Sequence, residues 1–116
     1  MPVLSKTLRI DDSRIVELTV EVGQGQIASS IVTVGDKERI ERRHDSFTLN
    51  LGAGLAGKTV TCSTMVQDVR PETNQTSVAY VVTNADTEVR ATREAEARSD
   101  GDIVSYVARF QFRARV

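Results

Sequence analysis

The sequence has no tryptophan, a single cysteine, two prolines and only three Phe and two Tyr residues. One cysteine excludes an internal disulfide and fits a reducing compartment. With so few aromatic side chains, the core has to be assembled from Val, Ile, Leu and Ala. No apolar run approaches the ~20 residues that cross a bilayer as a helix. Met1-Pro2-Val3-Leu4-Ser5-Lys6 lacks the charged start and apolar stretch of a secretory signal. A cytoplasmic location is therefore expected, unless a leader precedes this sequence. A strong charge of either sign is missing too. Fifteen basic and 16 acidic side chains leave a formal net charge of -1, which gives no general argument for nucleic acid or an anionic membrane as partner. Arg is the dominant cation, but it is dispersed and interleaved with Glu. Repeats, low-complexity segments and linkers are absent as well, so residues 1–116 read as a single domain, long enough to bury a core without a staple.

What the sequence does contain is period-two alternation rich in β-branched residues. Val16, Leu18, Val20 and Val22 alternate with Glu17, Thr19 and Glu21, the pattern of a half-buried strand. Gly23-Gln24-Gly25 offers a turn, and a second strand is expected from Gln26 to Val34. Gly35-Asp36 closes it, and the charged segment Lys37 to His44, a strand or a loop, leads to Phe47, Leu49 and Leu51. Val60, Cys62, Thr64 and Val66 share one face of a further strand, and Val78, Tyr80 and Val82 one face of the next. Joined by Arg70-Pro71-Glu72-Thr73-Asn74-Gln75, these two are expected to pair as a hairpin with Val66 opposite Val78, Thr64 opposite Tyr80 and Cys62 opposite Val82.

Residues 86–98 set local propensity against pattern. They are rich in helix formers behind the N-cap candidate Asp86. Their apolar members, Val89, Ala91, Ala95 and Ala97, are spaced by two and four and would form no helical stripe. A strand is the better reading. Asp100-Gly101 then suggests a hairpin with the final strand, setting Ala97 opposite Val104, Ala95 opposite Tyr106, Ala91 opposite Phe110 and Val89 opposite Phe112. Arg93 falls on the apolar face, where it must lie at a sheet edge or reach a carboxylate. About eight strands in mostly hairpin connectivity imply an all-β, antiparallel β-sandwich, loosely immunoglobulin-like, with an up-and-down β-barrel as the alternative.

Gly52-Ala53-Gly54-Leu55-Ala56-Gly57-Lys58-Thr59 carries the most chemistry-like motif. Over these eight residues it resembles the phosphate loop of P-loop NTPases, with Gly52 and Gly57 shaping the loop, Lys58 facing phosphate and Thr59 in the Mg²⁺ slot. It also satisfies G-x-G-x-x-G. Both patterns need a helix after the loop to supply aligned N–H donors. Thr59 to Val66 is alternating and β-branched, so the segment reads as a Gly-rich inter-strand loop and no cofactor is expected.

Other candidates have simpler explanations. His44, beside Asp45 and Ser46, is the only histidine and reads as a solvated loop side chain rather than part of a hydrolytic triad. Cys62 shares a face with Val60 and Val66 and reads as a small buried residue. One Cys and one His do not make a zinc site without carboxylates. Asp100 and Asp102, and separately Asp11-Asp12, offer oxygens for calcium, but too few at either place. Lys37, Arg39, Arg42 and Arg43 form a basic run interrupted by Glu38 and Glu41. Arg109, Arg113 and Arg115 are expected on the outer face of the last strand, near Glu88 and Glu94. Neither cluster has aromatic neighbours on which bases would stack.

No catalytic set emerges and no enzyme is expected. The leading expectation is a non-catalytic interaction or assembly module, with a protein partner or self-association through the edges of the long C-terminal strands. A small-ligand carrier with a cavity lined by Tyr80, Val89, Phe110 and Phe112 is one alternative. Nucleotide binding at Gly52 to Thr59 is the other.

Overall fold

The computed structural model describes residues 2–115 and contains nine strands and no helix. Met1, the first residue of the segment inspected for a leader, and Val116 lie outside the described residues. The strands are β1 (Val3–Ile10), β2 (Val16–Val22), β3 (Ile27–Val34), β4 (Arg39–His44), β5 (Phe47–Gly52), β6 (Thr59–Gln67), β7 (Gln75–Asn84), β8 (Thr87–Glu96) and β9 (Ile103–Ala114). They form two open sheets. One has five strands in the order β1-β9-β6-β3-β4, the other four in the order β5-β2-β7-β8. The sheets stack as a sandwich rather than closing into a barrel. All neighbours are antiparallel except β1 and β9, which pair in parallel from Val3↔Val107 to Ile10↔Ala114.

Alternation decides which face of each strand is buried. On β2 the row Val16, Leu18 and Val20 is fully buried, and on β6 Val60, Cys62, Thr64 and Val66 are. Tyr80 of β7 and Phe110 of β9 meet edge to face between the sheets, ring centroids 6.3 Å apart, the geometry the aromatic quadrupole favours. The charged segment 37–44 supplies β4, an edge strand on β3 whose inward row is Arg39, Glu41 and Arg43. Glu41 sits between the two arginines, accepting from Arg39 Nε at 3.0 Å and Arg43 at 3.2 Å, which draws its pKa below the usual carboxylate value.

Three sequence expectations are corrected. Nine strands among the described residues fit the roughly eight expected, but only β3–β4 and β7–β8 are hairpins; the other six connections cross between sheets. β6 and β7 do not pair, because they belong to opposite sheets. Thr64 and Tyr80 do meet, but across the core, where Tyr80 Oη donates to Thr64 Oγ1 at 3.2 Å. Likewise 86–98 supplies a strand, yet β8 pairs with β7 (Ala91↔Tyr80, Ala95↔Thr76) and not with β9. β9 lies between β1 and β6 and offers no free edge. Asp100-Gly101 is part of a sheet-crossing turn. Arg93 lies on the inward row of edge strand β8 and donates to the Thr92 carbonyl at 3.0 Å.

Buried polar side chains fasten the crossing loops. Asn84 accepts from the Asp11 amide at 2.8 Å and donates to the carbonyls of Asp11, Arg14 and Ile15, which locks the β1–β2 connection. At the other end Gln26 donates to Asp68 and accepts from the Val69 and Arg70 amides. Among the described residues no buried side-chain polar atom lacks a partner.

Candidate functional site

The Gly-rich loop joins β5 in one sheet to β6 in the other, and a strand follows it where a phosphate loop has a helix. Five of its amide donors are already engaged. Gly52 N–H donates to Asn50 Oδ1 at 2.7 Å, Gly54 to the Asp12 carbonyl at 2.9 Å and Ala56 to Asp12 Oδ1 at 2.7 Å. Gly57 donates to the Phe112 carbonyl at 2.7 Å and Lys58 to the Leu55 carbonyl at 2.9 Å. The Lys58 ammonium is 2.7 Å from Glu38, and Leu55 is buried under the loop. Thr59 opens β6, opposite Gln111. This arrangement plugs the end of the sandwich: Leu55 inserts into the core while the backbone donors serve the chain's own carbonyls and Asp12.

The oxygens considered for calcium lie in two places. Asp11 accepts from both the backbone N–H and hydroxyl of Ser13, which lowers its pKa. Asp100 and Asp102 occupy the β8–β9 turn. With its amide turned so that Nδ2 faces the carboxylates, Asn74 donates to Asp68 Oδ2 at 2.8 Å and Asp100 Oδ1 at 3.0 Å. Among the described residues no three His, Cys, Asp or Glu side chains are placed to share a metal ion.

Cys62 lies inside, with Thr64 Oγ1 at 3.6 Å. Thr64 also bonds Ser30 at 2.9 Å, so Ser30, Thr64 and Tyr80 form a small hydroxyl network linking the two sheets. Burial pushes the thiol up to about 11, outweighing its hydrogen bonds, and raises both tyrosines. Such a thiol is not a nucleophile at neutral pH. Tyr80, Phe110 and Phe112 are packed into the core, each 1% exposed. Val89 instead lines a recess of about 220 Å³ between β1 and β8, beside Leu8, Ile10 and Val82.

The two outer faces differ in a way the sequence pattern left unread. On the four-stranded sheet the outward residues include Glu17 and Glu21 of β2 and Glu88, Glu94 and Glu96 of β8. Arg90 is the one cation in these rows, and it forks onto Glu21 at 2.8 and 3.1 Å, lowering the carboxyl's pKa. Arg109 and Arg113 point out from the other sheet, so the expected proximity to Glu88 and Glu94 is corrected: the sandwich lies between them.

The outer face of the five-stranded sheet carries no Asp or Glu. Of eight large hydrophobic residues exposed among the described residues, six lie on it: Val3, Ile27, Ile31, Ile40, Met65 and Ile103. Register makes them neighbours. Ile27, Gln67 and Ile103 form one row across β3, β6 and β9. His44, Ser29, Met65 and Ser105 form the next, and Arg42, Ile31, Ser63, Val107 and Val3 the third. Between the first two rows lies a shallow recess of about 230 Å³, lined by Ile27, Met65, Ile103 and His44 among others. His44 thus belongs to this face, while its sequence neighbours Asp45 and Ser46 accept from the Ala28 and Val22 amides. Scattered exposed apolar residues are ordinary; here they cluster, with Ser, Thr and Gln between most of them and Arg42 and His44 on the β4 side. The signal was present in the odd positions of β3 and β9, but it needed the strand neighbours to become visible.

No known protein family, curated protein or solved structure matches the chain.

Proposed function

We propose that this chain is a non-catalytic interaction module, a loosely immunoglobulin-like scaffold that docks on protein through the outer face of its five-stranded sheet. The observation that carries the reading is the concentration of exposed Ile, Met and Val side chains on that one carboxylate-free face. Covering such a patch gains about 25 cal/mol per Å² of apolar surface, whereas the opposite face would have to desolvate several glutamates. The face has no Phe, Tyr or Trp side chain to stack on bases, which favours protein over nucleic acid. A lone buried thiol suits a reducing compartment and keeps the cytoplasm as the proposed location.

Docking by face also accounts for the edges better than strand addition does. Lys6 on β1, Arg93 on β8 and the Arg39–Glu41–Arg43 row on β4 are charged residues on inward-facing rows of edge strands, a device that discourages pairing with another strand. The ligand-carrier reading has less support, since Tyr80 and Phe110 fill the space a ligand would need. Nucleotide binding has less again, because five of the loop's amide donors and Lys58 are spent on the protein.

A photoreactive benzophenone amino acid placed at Met65, and separately at Thr92 on the acidic face, tests the proposal in cells that make the protein. Irradiation should give discrete protein adducts from position 65 and background from position 92. Equal labelling of the two faces, or none at 65, would refute docking through this sheet.

A further inference from the structure

The outer face of the five-stranded sheet is divided into two zones of different chemistry. We propose that its partner is a different protein whose surface carries an apolar patch flanked by clustered carboxylates. The carboxylates seat on arginines near the C-terminal ends of β1 and β9. This rests on the docking reading above and names the chemistry of the partner.

Register places the zones. Of the six exposed apolar side chains on this face, all but Ile40 lie in the three rows from Ile27 and Ile103 to Ile31 and Val3. Beyond those rows β9 carries Arg109, Gln111 and Arg113, all exposed and all outward. β1 sets Ser5, Thr7 and Arg9 beside these three in turn. The arginine zone therefore begins at the rim of the apolar rows and, from Val107 to Arg113, extends about 20 Å at about 3.3 Å per residue. Arg42 adds a fourth cation on the β4 flank, in the row of Ile31.

The chain does not neutralise these cations itself. Among the described residues none of the four arginines takes part in an ion pair, and Arg9 has only the Ala114 carbonyl, at 3.4 Å. Arg9 and Arg113 are direct neighbours across the parallel ladder, and like charges side by side weaken a sheet. On the opposite face the one outward arginine, Arg90, is forked onto Glu21. Guanidinium groups bind carboxylates through such forks, and here the carboxylates have to come from outside.

The apolar zone decides what carries the anions. Nucleic acid would satisfy the arginines and leave Ile27, Met65 and Ile103 bare. The face has no Phe, Tyr or Trp to stack on a base or to anchor at a bilayer interface. A second copy of the chain offers carboxylates on its four-stranded sheet, Glu17, Glu21, Glu88 and Glu94 among them. That sheet has no large exposed hydrophobic side chain, since Ile15 and Val69 lie between strands. Its glutamates would be desolvated against isoleucine and methionine. A protein with both an apolar patch and carboxylates answers both zones: the apolar contact supplies affinity, and the charges speed encounter and exclude basic partners.

Photo-crosslinking from both zones of the full chain, in cells that make it, decides the matter. Benzophenone at Met65 should join to apolar stretches of its target, and benzophenone at Gln111 to Asp- and Glu-rich peptides of the same protein. Arg109→Glu combined with Arg113→Glu should lower the adduct from position 65 about tenfold or more. Arg109→Gln with Arg113→Gln should lower it about threefold, and the corresponding lysine pair should retain most of it. Arg90→Gln, on the opposite face, should leave it unchanged. All three positions are exposed, and the circular dichroism of each purified variant should match the parent. A yield from position 65 that is indifferent to the charge at 109 and 113 refutes an acidic partner while docking through the face stands. Adducts from position 111 to nucleic acid, to lipid, to a second copy of the chain or to peptides without clustered carboxylates overturn the proposal too. If position 65 traps nothing, docking itself falls and this inference with it.

Discussion

At the scale of single residues, the described interior is polar only where a buried group finds a partner. Thr64 lies at 0% exposure between Ser30, Cys62 and Tyr80, and it bonds all but the thiol at ordinary oxygen–oxygen distances. Burial without a charged partner favours the neutral form of Cys62 and of both tyrosines. The linkage has a definite sign. The unfolded thiol ionises near its ordinary 9.0 while the folded one waits until about 11. Below 9 the group contributes no pH dependence; above 9 the unfolded state sheds the proton first and stability falls by roughly 1 kcal/mol per pH unit until the folded pKa is reached. The tyrosines extend the decline to higher pH. Thermal unfolding from pH 7 to 11 should therefore be nearly flat on the neutral side and drop beyond pH 9. Cys62→Ala should delay the onset towards pH 10, where tyrosine takes over. The identity of the buried thiol was readable from its neighbours Val60 and Val66; the Ser30 partner of Thr64 on β3 was not, because it is 34 residues away in sequence.

At the scale of elements, the loop between β5 and β6 separates motif from function. Eight residues match a phosphate loop, yet the donors that would hold phosphate hold Asn50, Asp12, Leu55 and Phe112 instead. Two substitutions should then behave in the reverse of a nucleotide site. Lys58→Ala removes one exposed ion pair with Glu38 and should cost no more than about 0.5 kcal/mol, without altering the heat of mixing with Mg·ATP. Gly57→Ala places a side chain at φ +83° and should cost about 1–2 kcal/mol, although its Cβ would meet nothing within 4 Å. Urea titration gives both values, and a nucleotide heat that vanishes with Lys58→Ala would contradict this account. Alternation was a sound guide to the existence of β2, β3, β6, β7, β8 and β9. It could not say which strands pair, because an inward row looks the same whether its opposite number lies beside it or across the core. Thr64–Tyr80 is the instructive case: the contact was legible, and its direction was not. Asp100-Gly101 failed for a related reason, since a tight turn can equally well carry the chain from one sheet to the other.

At the scale of the whole molecule, two features set the behaviour: opposite faces of opposite character, and a topology in which the first strand closes on the last. Apart from the hairpins β3–β4 and β7–β8, every ladder joins strands distant in sequence, and β1 against β9 spans the largest separation. Loop-closure entropy delays such contacts, so folding should take milliseconds to seconds, with the hairpins early and the β1–β9 pairing last. Leu4 on β1 and Val82 on β7 test the order. Both are buried, at 2% and 3% exposure, and truncation of either to Ala should cost about 1–4 kcal/mol. They should differ in where that cost appears. Leu4→Ala should leave the refolding rate nearly unchanged and accelerate unfolding, because its contacts are absent from the transition state. Val82→Ala, in the hairpin whose register runs Val82↔Val89, should slow refolding as well. Stopped-flow chevrons of the two variants separate these outcomes, and a Leu4→Ala protein that refolds as slowly as Val82→Ala would mean that the terminal strands meet early. In that case the parallel pair would be the organising contact of the sandwich and the hairpins would be later additions to it.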